Sequence, residues 1–168
     1  HWLADGVGSA YEIEDVVGHY SVVSKEAMRT IMVIDDVQAG GWRECIDTYE
    51  AGDGFEEIVL SPASASRFGP RTFGLRVTGR SMARTLEPGD LVVVDPDEPV
   101  QPGDIVVAKL DHENQATIKK YRARGVDDNG HEIFDLVPLN EDFATIRVDV
   151  SNPGHIIGPL VEVRRSLR

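Results

Sequence analysis

This sequence predicts a mainly β domain with strongly bent sheets, preceded by an N-terminal linker arm. Three observations point there: apolar runs of strand length recur, turn signals separate them, and almost no long amphipathic helix is present. The arm is residues 1–30, where Gly, acidic and scattered apolar residues follow neither a helical nor a strand period. From Ile31, "IMVID" reads as a strand leading into "DVQAGGW", whose two glycines predict a mobile, sterically open bend. A loop, "LSPASASRFGPR", completes the 31–70 region and precedes the first core strand, 72–78. In the core, 71–168, further strands are expected at 91–95, 105–110, 116–121, 132–137, 145–150 and 155–163. The turns "EPGD", "QPGD", "DDNG" and "SNPG" punctuate them.

Composition narrows the function classes. The chain has 168 residues, 41% of them hydrophobic, enough for one core. A net charge of −12 lacks the broad basic footprint that phosphate contacts need, which argues against direct DNA binding by these residues. The single cysteine, Cys45, excludes an internal disulfide and fits a reducing cytoplasm. No run approaches a membrane span, and no secretory signal opens the chain, so a soluble cytoplasmic setting without a membrane partner is expected. The acidic turns "DPDEP" and "GVDDNG" lack EF-hand ligand spacing, and no phosphate-cradling loop is present. No cofactor or metal is expected.

The chemistry centres on "VTGRSMARTLEPGD", which sets Ser81 on a tight turn between the strand-like "TFGLRV" and "LVVVD". Such a serine either closes its own turn or is a nucleophile held out for attack. The nucleophile elbow Gly-x-Ser-x-Gly fails, because Ala83 stands at its last position. His112, His131 and His155 each lie in or beside turn-rich polar segments, where a solvated side chain is the ordinary case. The other activator of a serine is a neutral lysine, which has to be desolvated. "QATIKKY" offers two: on a strand, Lys119 shares a face with Thr117 and Tyr121, and Lys120 shares the other with Ile118 and Arg122. Only one can point at Ser81, and periodicity leaves open which.

Taken in order, "FGLRVTGRSMARTLEPGDLVVVD", "QPGDIVVAKL", "ATIKKY", "LVPLN" and "IIGPLVEVRR" resemble the C-terminal domain of LexA and lambda-type phage repressors. The resemblance implies the bent-sheet fold shared with signal peptidases, with Ser81 as nucleophile and Lys119 as general base. It implies oxyanion donors in the backbone N–H groups of Arg80 and Ser81. It also supplies a substrate within the chain, the Ala39–Gly40 bond of "VQAGGW", delivered to the site by an extended "IMVIDDV". On this view 31–70 is a cleavage-site region and 71–168 a catalytic and dimerisation core. "HWLADGVG" is similar to the end of the helix-turn-helix domain of phage-type repressors, which implies a DNA reader upstream of residue 1.

The family further implies a homodimer or higher oligomer, operator DNA bound only through that upstream domain, and a RecA filament on single-stranded DNA as activator, in the cytoplasm of a bacterial host. Two rival readings share the fold: a UmuD-like polymerase accessory protein, and a repressor domain that dimerises without cleaving. Signal peptidases carry a similar serine element but need a membrane anchor. Trp42 is expected to pack in the core, and Cys45 to be a small, partly buried residue without an activating neighbour beyond Arg43.

Overall fold

The architecture comes from a computed structural model that describes residues 10–14, 19–23, 28–52 and 54–167. Among these, β1 (Ala10–Glu14) and β2 (His19–Val23) pair antiparallel as a separate two-stranded sheet. The sequence reading expects no strand there; five residues each are too few for a period to stand out against flanking glycines and acids. The "HWLADGVG" resemblance lies outside the described residues.

The remaining strands are β3 (Arg29–Ile34), β4 (Glu57–Leu60), β5 (Phe73–Arg76), β6 (Leu91–Val94), β7 (Ile105–Leu110), β8 (Ala116–Val126), β9 (Glu132–Val137), β10 (Ile146–Val148) and β11 (Gly154–Arg164). They form one sheet in the order β10-β9-β8-β7-β11-β6-β5-β3-β4, antiparallel except for the parallel β3–β5 pair. This is the mainly β, bent arrangement the sequence predicts. The bend is made by β11, whose first half pairs with β7 and second half with β6, with register shifts at Ile156/Gly158 and Leu160/Glu162. Such bulges kink a strand and raise its twist, letting one strand serve two sheet halves.

Strands in the middle of the order are covered on both faces, so they read as unbroken apolar runs. In "LVVV" of β6, Val92 and Val94 face one core cluster and Val93 another. In β7, Val107 joins the first cluster, while Val106, Ala108 and Leu110 pack with Tyr121, Phe134 and Leu136. The two Pro-Gly-Asp turns are closed alike. Gly89 and Gly103 take left-handed φ values of 94° and 95°, and the aspartate N–H donates to the carbonyl of Glu87 or Gln101 at 3.0 Å. The aspartate carboxylate accepts the N–H of that same residue, at 2.9 Å for Asp90 and 2.8 Å for Asp104.

Two expected loops contain helices. "DVQAGGW" is not an open extended bend: it forms α1 (Asp36–Gly40), a break at Gly41, and the start of α2 (Trp42–Asp47). The cause is a capping box, in which Asp35 accepts the Gln38 N–H at 2.7 Å and Gln38 accepts the Asp35 N–H at 3.0 Å. Only Gly41 is sterically open; a Cβ at Gly40 would meet the Asn114 carbonyl oxygen at 2.5 Å. "LSPASASRFGPR" contains α3 (Pro62–Arg67), capped by Ser61 with Pro62 in the first turn.

Buried Asp90 ties the chain's end to the turn before β6. Arg165 donates to its two carboxylate oxygens at 2.8 and 2.5 Å, and that pairing holds its pKa below the usual carboxylate range. A carboxyl so depressed stabilises the fold above its unfolded pKa of about 3.9 and loses that contribution as pH falls through the lower folded value. Asp90→Asn is therefore expected to cost about 1–3 kcal/mol at pH 7. Urea unfolding from pH 7 to pH 2 checks this: the gap to the unsubstituted chain closes below about pH 4.

Candidate active site

Ser81 opens the turn that leaves β5. Its neighbours Met82 and Leu86 are both buried and linked by the Leu86 N–H donating to the Met82 carbonyl at 2.8 Å, so the turn is pinned by two apolar anchors. Arg84 within it holds a left-handed φ of 63°, a conformation a non-glycine residue keeps only where its surroundings enforce it. The turn projects Ser81 into a cleft of about 210 Å³ whose walls include Thr78 and Gly79 on one side and Glu113, Gln115 and Thr117 on the other.

Lys119 reaches this turn from β8. It lies opposite Val106 of β7, only 7% exposed, with Nζ 2.9 Å from Ser81 Oγ and 2.6 Å from Thr117 Oγ1. Lys120, next along, is half-buried and makes no such contact. Burial pushes the Lys119 pKa below the ordinary lysine value, against a smaller upward pull from the Glu113 carboxylate. The sequence marks Thr117 only as a face-mate of Lys119; the spacing of two residues along a strand is what brings its hydroxyl to the amine.

The other expected site residues are placed less directly. The Arg80 and Ser81 N–H groups donate to no other described residue, while the Arg80 carbonyl accepts the Ala83 N–H at 3.0 Å. Ala39 is fully buried in the core cluster that also holds Trp42 and Phe73. Neither Ala39 nor Gly40 lines the Ser81 cleft; Gly40 borders a separate cavity of about 330 Å³ with Trp42, Arg71 and His155. What does line the cleft is Asp36, whose Oδ2 accepts from Thr78 Oγ1 and Gln115 Nε2, both at 3.2 Å. The α1 segment is thus tethered to both walls without presenting Ala39 to the serine.

Trp42 packs on Phe73, ring centroids 6.1 Å apart, as a core residue. Burial, with Glu44 and Asp35 nearby, pushes the Cys45 thiol pKa up, the opposite of an activated thiolate. Among the described residues no histidine contacts Ser81, no group of His, Cys, Asp and Glu is placed to hold a metal, and no helix is long and apolar enough to cross a membrane.

A mainly β, mixed sheet with little helix is consistent with the fold of the LexA and signal-peptidase type. Residues 32–161 match the Peptidase S24-like family, and the chain belongs to it: a family of serine peptidases that includes the self-cleaving C-terminal domains of phage- and SOS-type repressors. Similar proteins include the HTH-type transcriptional regulator for conjugative element SXT of Vibrio cholerae, 33% identical over 150 residues, covering 89% of this chain and 65% of the relative. The LexA repressor of Thermotoga petrophila is 32% identical over 146 residues, 86% of this chain and 66% of the relative. The repressor protein C2 of Salmonella phage P22 is 31% identical over 138 residues, 79% of this chain and 57% of the relative. The chain thus spans less than two thirds of the length of each of these relatives, from 57% to 66%.

A lysine whose folded pKa is lowered costs stability wherever it is charged in the fold. Stability recovers as pH rises from the folded pKa toward the unfolded value of about 10.4. Lys119→Met is accordingly expected to stabilise the fold at pH 7 by about 1 kcal/mol, with the gain shrinking by pH 10. Thermal unfolding at the two pH values tests this.

Proposed function

We propose that this chain is the self-cleaving and dimerising part of a transcriptional repressor, and that it severs its own Ala39–Gly40 bond. Its organisation on this reading is a linker over 1–30 that follows a helix-turn-helix domain, a cleavage-site region over 31–70 and a catalytic core over 71–168. The observation that carries the proposal is the buried Lys119 amine 2.9 Å from Ser81 Oγ. A neutral Lys119 has one lone pair, which accepts the Ser81 proton, and N–H groups, one of which holds Thr117. Ser81 Oγ then attacks the Ala39 carbonyl, and the unengaged N–H groups of Arg80 and Ser81 receive the oxyanion. The lysine passes its proton to the departing Gly40 amine. Water, deprotonated by the same lysine, releases Ala39 from the serine.

The substrate has to move first. Ala39 is helical and buried, so α1 must unwind and slide into the cleft, and the rate follows the population that has done so. A partner that favours the docked state speeds cleavage without touching the chemistry; family kinship makes a RecA filament on single-stranded DNA the proposed one. The relatives' description as HTH-type regulators supports a DNA reader preceding this segment, and cutting at Ala39 would separate that reader from the dimerising core.

Intact mass measured over time, from neutral to alkaline pH, tests the proposal. Fragments ending at Ala39 and beginning at Gly40 are expected, faster as lysine deprotonates. Ser81→Ala and Lys119→Ala should each slow them at least 1,000-fold, while Lys120→Ala cleaves at near the unsubstituted rate. A chain that dimerises but stays whole throughout would favour the non-cleaving alternative. Asp36→Ala, which removes both tethers of α1, is expected to speed cleavage by about 2- to 10-fold. Slower cleavage instead would place the Asp36 contacts in the docked state.

A further inference from the structure

Two consecutive peptide units of the Ser81 turn are held by one residue from the segment that follows β9, in addition to the Ala83 N–H that the Arg80 carbonyl accepts within the turn. The Asn140 N–H donates to the Ser81 carbonyl at 2.9 Å, and Asn140 Nδ2 donates to the Arg80 carbonyl at 3.0 Å, across 60 positions of sequence. The asparagine is itself fixed. Its Oδ1 accepts the Asp142 N–H at 3.0 Å and its carbonyl accepts the Phe143 N–H at 3.1 Å, so a small turn presents Nδ2 in one orientation. That turn follows β9, and β9 pairs directly with β8, Val137 opposite Lys120 and Leu136 opposite Tyr121. A closed circuit results: Ser81 to Asn140, Asn140 to β9, β9 to β8, and β8 through Lys119 back to Ser81.

A peptide unit is planar, and no cis bond occurs among the described residues. Fixing the carbonyl of a trans unit therefore fixes the N–H on its opposite edge. Holding the Arg80 carbonyl aims the Ser81 N–H, and holding the Ser81 carbonyl fixes the next unit, so the nucleophile's backbone cannot swing when charge develops on a bound carbonyl. Oxyanion donors act only if they are aimed beforehand.

We infer that Asn140 is a positioning residue for self-cleavage: its side-chain amide orients the Ser81 N–H toward the oxyanion and keeps the serine in register with Lys119. The inference rests on the Ser81 and Lys119 reading above. Its test is the first-order cleavage rate of Asn140→Ala and Asn140→Asp on the alkaline plateau, where lysine is neutral, with thermal unfolding alongside. Asn140→Asp retains the acceptor for the Asp142 N–H, and thus the turn, but sets an oxygen against the Arg80 carbonyl.

Expected are a plateau rate lowered about 10-fold or more in Asn140→Ala and further in Asn140→Asp, with the apparent lysine pKa of Asn140→Ala unchanged and both variants fully folded at the assay temperature. Plateau rates equal to the unsubstituted chain, beside an inert Ser81→Ala, would overturn this inference alone. So would a loss of rate in Asn140→Ala explained by a shifted lysine pKa, or a loss in Asn140→Asp explained by unfolding at the assay temperature. An unsubstituted chain that never cleaves would remove the dyad reading and this inference together.

Discussion

The arrangement depends on keeping one amine dry. Lysine is a base near neutral pH only when its charged form is penalised, and the penalty comes from low-dielectric surroundings. Here the chain works against itself. With 29 acidic residues against 17 basic ones, the average field favours a protonated lysine, and Glu113 on the cleft wall adds to that pull. Desolvation nevertheless outweighs it. The apolar run of β7, with Val106 directly opposite Lys119, supplies part of the dry wall, and the Ser81 turn covers the remaining side. Two-sided burial of the central strands is therefore, on the proposed reading, a condition of the chemistry as well as of stability.

The two halves of the site have opposite mechanical characters. The serine turn is anchored by Met82 and Leu86, keeps a left-handed residue at Arg84, and is gripped from outside by Asn140. It is preorganised. The segment holding Ala39 consists of helices of 5 and 6 residues, far below the length at which a helix stands alone in water. What keeps it in place is a capping box, the burial of Ala39 and Trp42, and the two hydrogen bonds that Asp36 accepts from Thr78 and Gln115. On the proposed reading, a rigid catalyst beside a marginally held segment suits a chain whose substrate is its own backbone.

Much of this was legible in the letters, for reasons that can be named. The Pro-Gly-Asp turns and the runs "LVVVD" and "DIVVAKL" are local signals, and the strands between them stand within a few residues of where they were read. Choosing between Lys119 and Lys120 was beyond periodicity, because each strand face carries one large apolar or aromatic neighbour. The resemblance implies Lys119, but the position of the Ser81 turn over one face is a tertiary fact that strand periodicity does not contain. The short helices were missed for a different reason. The glycine pair of "AGGW" outweighed a capping box, Asp35 to Gln38, that was present in the same stretch. Asn140 carried no signal beyond membership in "LVPLN", since nothing in a sequence shows which distant carbonyl an amide will reach.

Carrying substrate and catalyst on one chain changes what controls the rate. On the proposed reading no free substrate has to be captured, so the quantity that a binding constant would set is replaced by the balance between α1 packed in the core and α1 docked in the cleft. Ala39 sits on both sides of that balance: buried, it contributes to the fold; in the cleft, on the proposed reading, its carbonyl is the electrophile. Gly40 constrains the packed side further, because its close approach to the Asn114 carbonyl leaves no space for a side chain. On that reading a small residue followed by glycine meets two demands at once, tight packing at rest and access to a nucleophile when displaced; the resting demand is the one the packing of Ala39 and Gly40 displays.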